Sequence, residues 1–275
     1  MTPGMTPRMT KSQKAAAAMF LLLALVSLTG IGGDRASLQN REAIAAPPSV
    51  QFPLGTDDLG RDRLARLMEG TRVSILLAPA AALLSTLLAA AIGGAAGYIG
   101  GRIDRIVVTV ADLFLSLPWL LLLLAVRALL PLNTSPMASV MLTFLLLGCL
   151  GWANPGRMLR AAARTAAGSD YVLHARASGI GGWRLFWRMV VPNLFPILLA
   201  QFWIAVPIYV LSEANLGLLG LGVSEPLSSL GSLLRELTNY ASLSRNPVAL
   251  APVAVLVTIA SCLHLLVNKE QTRSC

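Results

Sequence analysis

Long blocks of uncharged, apolar residues, separated by short polar stretches, constrain this chain more than any other feature. Inside a bilayer no water is present to bond the backbone. A crossing segment must satisfy its own amides, and a helix needs ~20 mostly apolar residues to span the hydrocarbon. Six stretches approach that length: Ala15–Gly33, Val73–Gly101, Ile106–Leu132, Met137–Trp152, Leu194–Leu221 and Pro247–Val267. The fourth is short unless it extends to Pro155. Composition agrees, with 55% hydrophobic and 13% charged residues. A soluble domain is roughly one quarter charged, and so few charges could not cover a soluble surface. The expectation is an all-α, polytopic membrane protein with six transmembrane helices.

Arg8, Lys11 and Lys14 precede the first block, a start that suits either a signal peptide or a span. Its apolar part exceeds the usual ~7 to 15 residues of a signal peptide, with no convincing cleavage site close behind, so it reads as an uncleaved first span. In the segment 34–72, six arginines balance six acids, and Pro47 and Pro48 break any early helix. Asp58–Gly70 interleaves Leu59, Leu64, Leu67 and Met68 with charges, which predicts a short amphipathic helix along the membrane surface. The second span ends in Gly93, Gly94, Gly97, Gly100 and Gly101, small residues that let helix backbones approach closely. Tight turns follow at Arg102, Asp104 and Arg105 and at Asn133–Pro136.

The polar segment 156–193 carries Arg157, Arg160, Arg164, Arg176, Arg184 and Arg188 against Asp170 alone, whereas in the loop Gly222–Asn246 Arg235 and Arg245 offset Glu225 and Glu236. Basic loops stay on the cytoplasmic side. An even number of spans puts both termini on that side too. The organisation expected is a cytoplasmic tail and first span (1–33), an extracytoplasmic loop (34–72), a five-helix core containing loop 156–193 (73–268) and a cytoplasmic tail (269–275).

The net charge of +9 is spread over loops, so it reads as an orientation signal and contact with lipid rather than a nucleic-acid surface. Cys149, Cys262 and Cys275 have no zinc or disulfide spacing, and His174 and His264 are too far apart to argue for a metal. No GxxxxGK[ST] run supplies a nucleotide site. A membrane enzyme or secondary transporter is disfavoured: no paired catalytic side chains and no inverted repeat of broken helices are evident. Neither catalytic residues nor cofactors are expected. Asp112 and Arg127 are charges within the third span; Asp112 is expected to pair with a neighbouring helix, and Arg127 to snorkel to the interface. In the fifth span Gln201, Glu213 and Asn215 could line a polar pathway, loosened by Pro196 and Pro207, or Glu213 could simply pack against a partner. His264 is expected to hydrogen-bond between helices.

Within the arginine-rich loop, Asp170 can cap a helix from Tyr171 to Ser178, and Gly179 stands where a left-handed glycine would stop it. The run Tyr171, Val172, Ala175, Arg176, Ala177, Gly179, followed by Val191, Pro192, Asn193 and Pro196, resembles the EAA loop of C-type permeases in the dipeptide, oligopeptide and nickel group of ATP-binding-cassette importers. The sequence departs from that pattern at Leu173, where the motif has a glutamate, and at His174, where it has alanine. Three further blocks resemble the same family in order: Phe52–Ile75, Gly97–Pro118 and SEANLGLLGLGV with Gly231, where Leu230 replaces a common tryptophan.

The resemblance implies a MetI-like permease in a bacterial inner membrane. It implies a second permease, two ATP-binding subunits and an extracytoplasmic substrate-binding protein as partners. The helix bearing Tyr171, Val172, Leu173, His174, Ala175, Arg176 and Gly179 would dock into an ATP-binding subunit, with Tyr171 and Val172 in its groove and Arg176 on an acidic rim. The substrate implied is a peptide, with nickel or a metal chelate as the alternative.

Overall fold

The computed structural model describes residues 11–28, 33–129, 135–223, 225–238 and 247–271. The expectations for the tail around Arg8, the turn at Asn133, the loop as far as Asn246 and the last residues up to Cys275 lie outside them. Among the described residues the regular structure is helical, apart from an isolated bridge between Thr56 and Asp62. The main helices are α1 (Lys11–Leu28), α2 (Arg63–Ile99), α3 (Gly101–Ser116), α4 (Trp119–Ala128), α5 (Pro136–Ala167), α6 (Asp170–Ala177), α7 (Gly182–Leu218), α8 (Leu230–Glu236) and α9 (Ala251–Gln271).

Four helices are long and apolar enough to cross a membrane: α2, α5, α7 and the stretch Pro247–Leu266 that includes most of α9. A fifth crossing is added if α3 and α4 count together, and the apolar part of α1, Gln13–Ser27, falls short of that length. The sixth predicted crossing is therefore represented by a shorter helix. α1 packs beside α2 and α9.

Three element boundaries differ from expectation, each for a local reason. The surface helix expected at Asp58–Gly70 is instead the start of α2. Asp62 caps it, its carboxylate accepting from the amides of Leu64 at 2.9 Å and Ala65 at 3.4 Å. Gly70 does not stop the helix; it admits the backbone of Ser229, whose carbonyl carbon would lie 2.8 Å from a Cβ. The third span is not continuous. Leu117 is extended, as the residue before Pro118 favours, and α3 and α4 meet at 90°. The fourth span is not short: α5 runs through Gly151 and Trp152 to Ala167, converting the first third of the predicted arginine-rich loop into helix.

Two apolar cores result. One joins α2, α5, α7, α8 and α9 around Ala78, Leu147, Val210, Leu216, Leu230 and Ile259. Leu230, which stands where the family pattern has a tryptophan, is fully buried in this core. The second core lies toward the arginine-rich end, around Leu159, Ala163, Val172, Leu185, Phe186 and Val190. Leucines such as Leu21, Leu25, Leu83, Leu87 and Leu121 point outward, the arrangement expected where the surrounding solvent is lipid. His264 is exposed on α9 rather than held between helices.

Candidate functional site

The helix in the arginine-rich loop is α6. Asp170 is its first residue, not its cap; the cap position is Ser169, whose side chain makes no capping bond. An aspartate in the first turn still favours the helix through the dipole, as His174 and Arg176 do in the last. The far end has two interlocked bonds: the Gly179 amide donates to Arg176 O at 3.0 Å and the Ile180 amide to Ala175 O at 3.2 Å. This is a Schellman stop, and it requires the left-handed φ of +82° that Gly179 adopts.

Sequence reasoning placed Tyr171 and Val172 in a partner's groove. Val172 is instead fully buried in the chain's own second core, together with Ala175. These two residues fasten α6 to α5 and α7. The face left outward carries Leu173, His174, Arg176 and Ala177. Tyr171 is half-exposed, and its hydroxyl accepts from Asn193 Nδ2 at 2.5 Å. Leu173, at 47% exposure, stands on the outward face where the family motif would put a charge.

The spans beside α6 are tied to one another. Arg160 on α5 grips Asp104 on α3 with two hydrogen bonds, the Nη2–Oδ2 bond being 2.7 Å. Arg157 meets Asp112 at 3.3 Å, so Asp112 pairs with a neighbouring helix. Between these pairs α2 and α5 touch backbone to backbone: a Cβ on Gly93 would lie 2.2 Å from Gly156 O, and one on Gly97 2.2 Å from Arg160 O. Tyr98 adds a hydrogen bond from its hydroxyl to Gly182 O at 2.7 Å.

The polar residues of the fifth predicted span do not converge. Gln201 borders a cavity midway along α7. Glu213 is completely buried beside Ser74, whose hydroxyl donates to Oε2 at 3.4 Å. Asn215 is exposed. A single pathway through all three is therefore not formed within this chain. Arg127 does not snorkel either; it is 1% exposed, donating from Nε to Leu221 O and from Nη2 to Ser139 Oγ, both at 3.1 Å. Those bonds pin the chain just past α7, while Nη1 is buried without a hydrogen-bond partner among the described residues.

At the opposite end of the bundle lies a charge network that the sequence reading missed. Asp57 accepts from Arg61 Nε and from Arg66 Nη1, each at 2.7 Å. Arg66 also bonds Glu236 and, through Nε, Ser228 Oγ at 3.1 Å, while Arg61 reaches Glu225 at 3.2 Å. The segment before α2 is thereby clamped to the α7–α8 loop and α8. Burial pushes the Asp57 carboxyl up, but the Arg61 amide and guanidinium and the Arg66 charge outweigh it and hold it below the ordinary value. For Glu236 burial wins, raising its carboxyl despite Arg66. The only clue in sequence was the equal number of opposite charges, which shows balance but not pairing.

The architecture is that of a multi-pass helical membrane protein in which a short helix is displayed at one end and bolted to the spans. Residues 81–269 match the family described as binding-protein-dependent transport system inner membrane component, and the chain belongs to that family. It is 35% identical over 224 residues to the oligopeptide transport system permease protein OppC of Mycobacterium tuberculosis, covering 81% of this chain and 75% of that protein. It is 30% identical over 254 residues to the dipeptide transport system permease protein DppC of Haemophilus influenzae, covering 90% and 84%. A third relative is the di/tripeptide transport system permease protein DppC of Pseudomonas aeruginosa, 31% identical over 229 residues, covering 81% and 74%.

Proposed function

We propose that this chain is the permease subunit of an ATP-driven, binding-protein-dependent importer of peptides. It forms half of the translocation pathway and pairs with a second permease, two ATP-binding subunits and an extracytoplasmic binding protein. Hydrolysis takes place on the ATP-binding subunits, so this chain is a non-catalytic membrane component. The arginine-rich end and both termini face the cytoplasm of a bacterial inner membrane, because six arginines in 156–193 face one aspartate. Peptide is favoured over nickel or a metal chelate by the names of the relatives, all of which are peptide permeases.

The observation that carries the coupling role is α6 itself. Two of its side chains anchor inward, a Schellman stop fixes its exit, and the remaining face is presented outward. Leu173, His174 and Arg176 supply the contact with an ATP-binding subunit. Leu173 contributes apolar burial, worth ~25 cal/mol per Å² of apolar area removed from water. Movement of that subunit reaches the spans through α5, because Arg160 and Arg157 hold α3 and the glycine contacts hold α2.

The test is peptide uptake and ATP hydrolysis by the reconstituted transporter carrying Gly179→Ile or Gly179→Asn. A Cβ at Gly179 meets nothing within 4 Å, so the cost of isoleucine is purely conformational, roughly 1–2 kcal/mol. Gly179→Ile is expected to insert normally and to hydrolyse ATP with uptake lost, while Gly179→Asn, which tolerates positive φ, stays near wild type. Normal uptake by Gly179→Ile would remove the docking role of α6.

A further inference from the structure

A cavity of about 330 Å³ opens between the α3–α4 bend and the middles of α5 and α7. Phe114, Trp119, Ile208 and Tyr209 give it an apolar and aromatic wall, with the side-chain amides of Asn154 and Gln201 as polar points. Among the described residues, none that lines it is charged.

What distinguishes this opening from an ordinary lipid-facing groove is its backbone. Pro118 and Pro155 have no amide hydrogen to give to the carbonyls of Phe114 and Gly151, four residues before each. Phe114 and Gly151 themselves line the cavity. The break at Leu117 also ends the helical bonding of the last turn of α3. Backbone acceptors without helical donors are tolerated at membrane depth only inside protein or beside a water-filled space. Interruptions in two separate helices, α3 and α5, thus meet at one site, and that site is unsuited to acyl chains.

We propose that this cavity is a subsite of the translocation path that accepts one apolar or aromatic side chain of the transported peptide. The inference rests on the peptide-importer reading above. Peptide chemistry matches the walls on both counts: the side chain fills the aromatic pocket, and adjacent backbone N–H groups replace water at the carbonyls of Phe114 and Gly151 and at the amide oxygens of Asn154 and Gln201. The lack of charge keeps the site weak, so a peptide can leave as well as enter. The indole of Trp119 donates to Ser212 Oγ at 3.0 Å, which sets its ring against the cavity.

The assembled transporter, reconstituted in proteoliposomes with its second permease, ATP-binding subunits and binding protein, tests this. Leu122→Trp narrows the cavity from a half-buried position on α4. Uptake of a peptide with a central phenylalanine is expected to fall about tenfold or more, while the same peptide with a central glycine stays within about twofold of wild type. An equal effect on both peptides, or none, overturns the subsite. A second readout does not depend on that variant: p-benzoylphenylalanine placed at Ile208 is expected to cross-link radiolabelled phenylalanine peptide during turnover. Cross-linking only to the second permease, or only to lipid, overturns the proposal, since the cavity would then have a resident occupant. If the wild-type assembly takes up no peptide, the peptide-importer reading itself fails; if it takes up peptide but Leu122→Trp leaves selectivity unchanged, only the subsite fails.

Discussion

Asp57 shows how much a single side chain can hold together in this protein. It is 3% exposed and accepts from two arginines, one of which, Arg66, is itself 1% exposed and also bonds Glu236. Removing one member of a buried ionic set leaves the others uncompensated, at a cost of roughly 3–5 kcal/mol. Asp57→Asn is therefore expected to lower the thermal midpoint of the detergent-solubilised protein more than Glu236→Gln, because burial already disfavours the charged form of Glu236. The sign of the pH dependence follows from the depressed carboxyl of Asp57. Its contribution is complete above the ordinary value of 3.8 and is lost as pH falls through the lower value of the folded state. The gap between wild type and Asp57→Asn should thus be full at neutral pH and shrink in acid; a gap that grows in acid would contradict the pairing. Val172 carries a second residue-scale lesson. Its place in the motif was legible, but its direction was not, because an eight-residue helix with apolar residues at Val172, Leu173, Ala175 and Ala177 has no face that composition alone selects.

Among the elements, α5 decides how α6 relates to the spans. Arginines recurring through its second half suggest a loop, yet Leu159 and Ala163 are completely buried and lie one turn apart, with Arg157, Arg160 and Arg164 directed to other faces. The contact with α2 depends on the absence of side chains. A Cβ at Gly97 would lie 2.2 Å from Arg160 O, so even alanine must push α2 and α5 apart. Gly97→Ala is expected to destabilise by about 1–3 kcal/mol, the range of an overpacked core. Gly168→Ala, where the nearest atom would be 3.7 Å away, should be close to neutral. Thermal unfolding of both variants in detergent checks the comparison, and equal midpoints would mean that the helices are not in contact. The glycine run was recognised in the sequence as an approach site; its partner was not, since spacing reveals a smooth surface but not what lies against it.

On the scale of the whole molecule, the two ends of the bundle have opposite characters. One presents α6 and the arginines of segment 156–193; the other is closed by the Asp57–Arg61–Arg66–Glu236 network and by α8 packed through Gly70, Gly217 and Gly231. If the proposed orientation holds, a reporter active only in the cytoplasm should be active when fused after Cys275 and when inserted after Gly168, and inactive when inserted near Val50. An active reporter at Val50 would reverse the topology. The same experiment decides whether the α3–α4 pair, which bends by 90°, crosses the membrane, because opposite sides for Val50 and Gly168 require an odd number of crossings between them.

The sequence by itself determined the solvent, the class and the family. Long uncharged blocks admit only helices in lipid, and the ordered motifs around Gly55, Gly97, Tyr171 and Gly217 mark the permease, because these properties depend on local composition and spacing. The left-handed stop at Gly179 was also legible, since glycine there relieves a local steric constraint. Only the tertiary structure decided that Val172 points inward, that Arg127 is buried, that Asp57 and Glu236 share Arg66, and that the interruptions at Phe114 and Gly151 border one cavity. Each of these joins residues far apart in the chain, and no local pattern specifies which distant group will meet a given side chain.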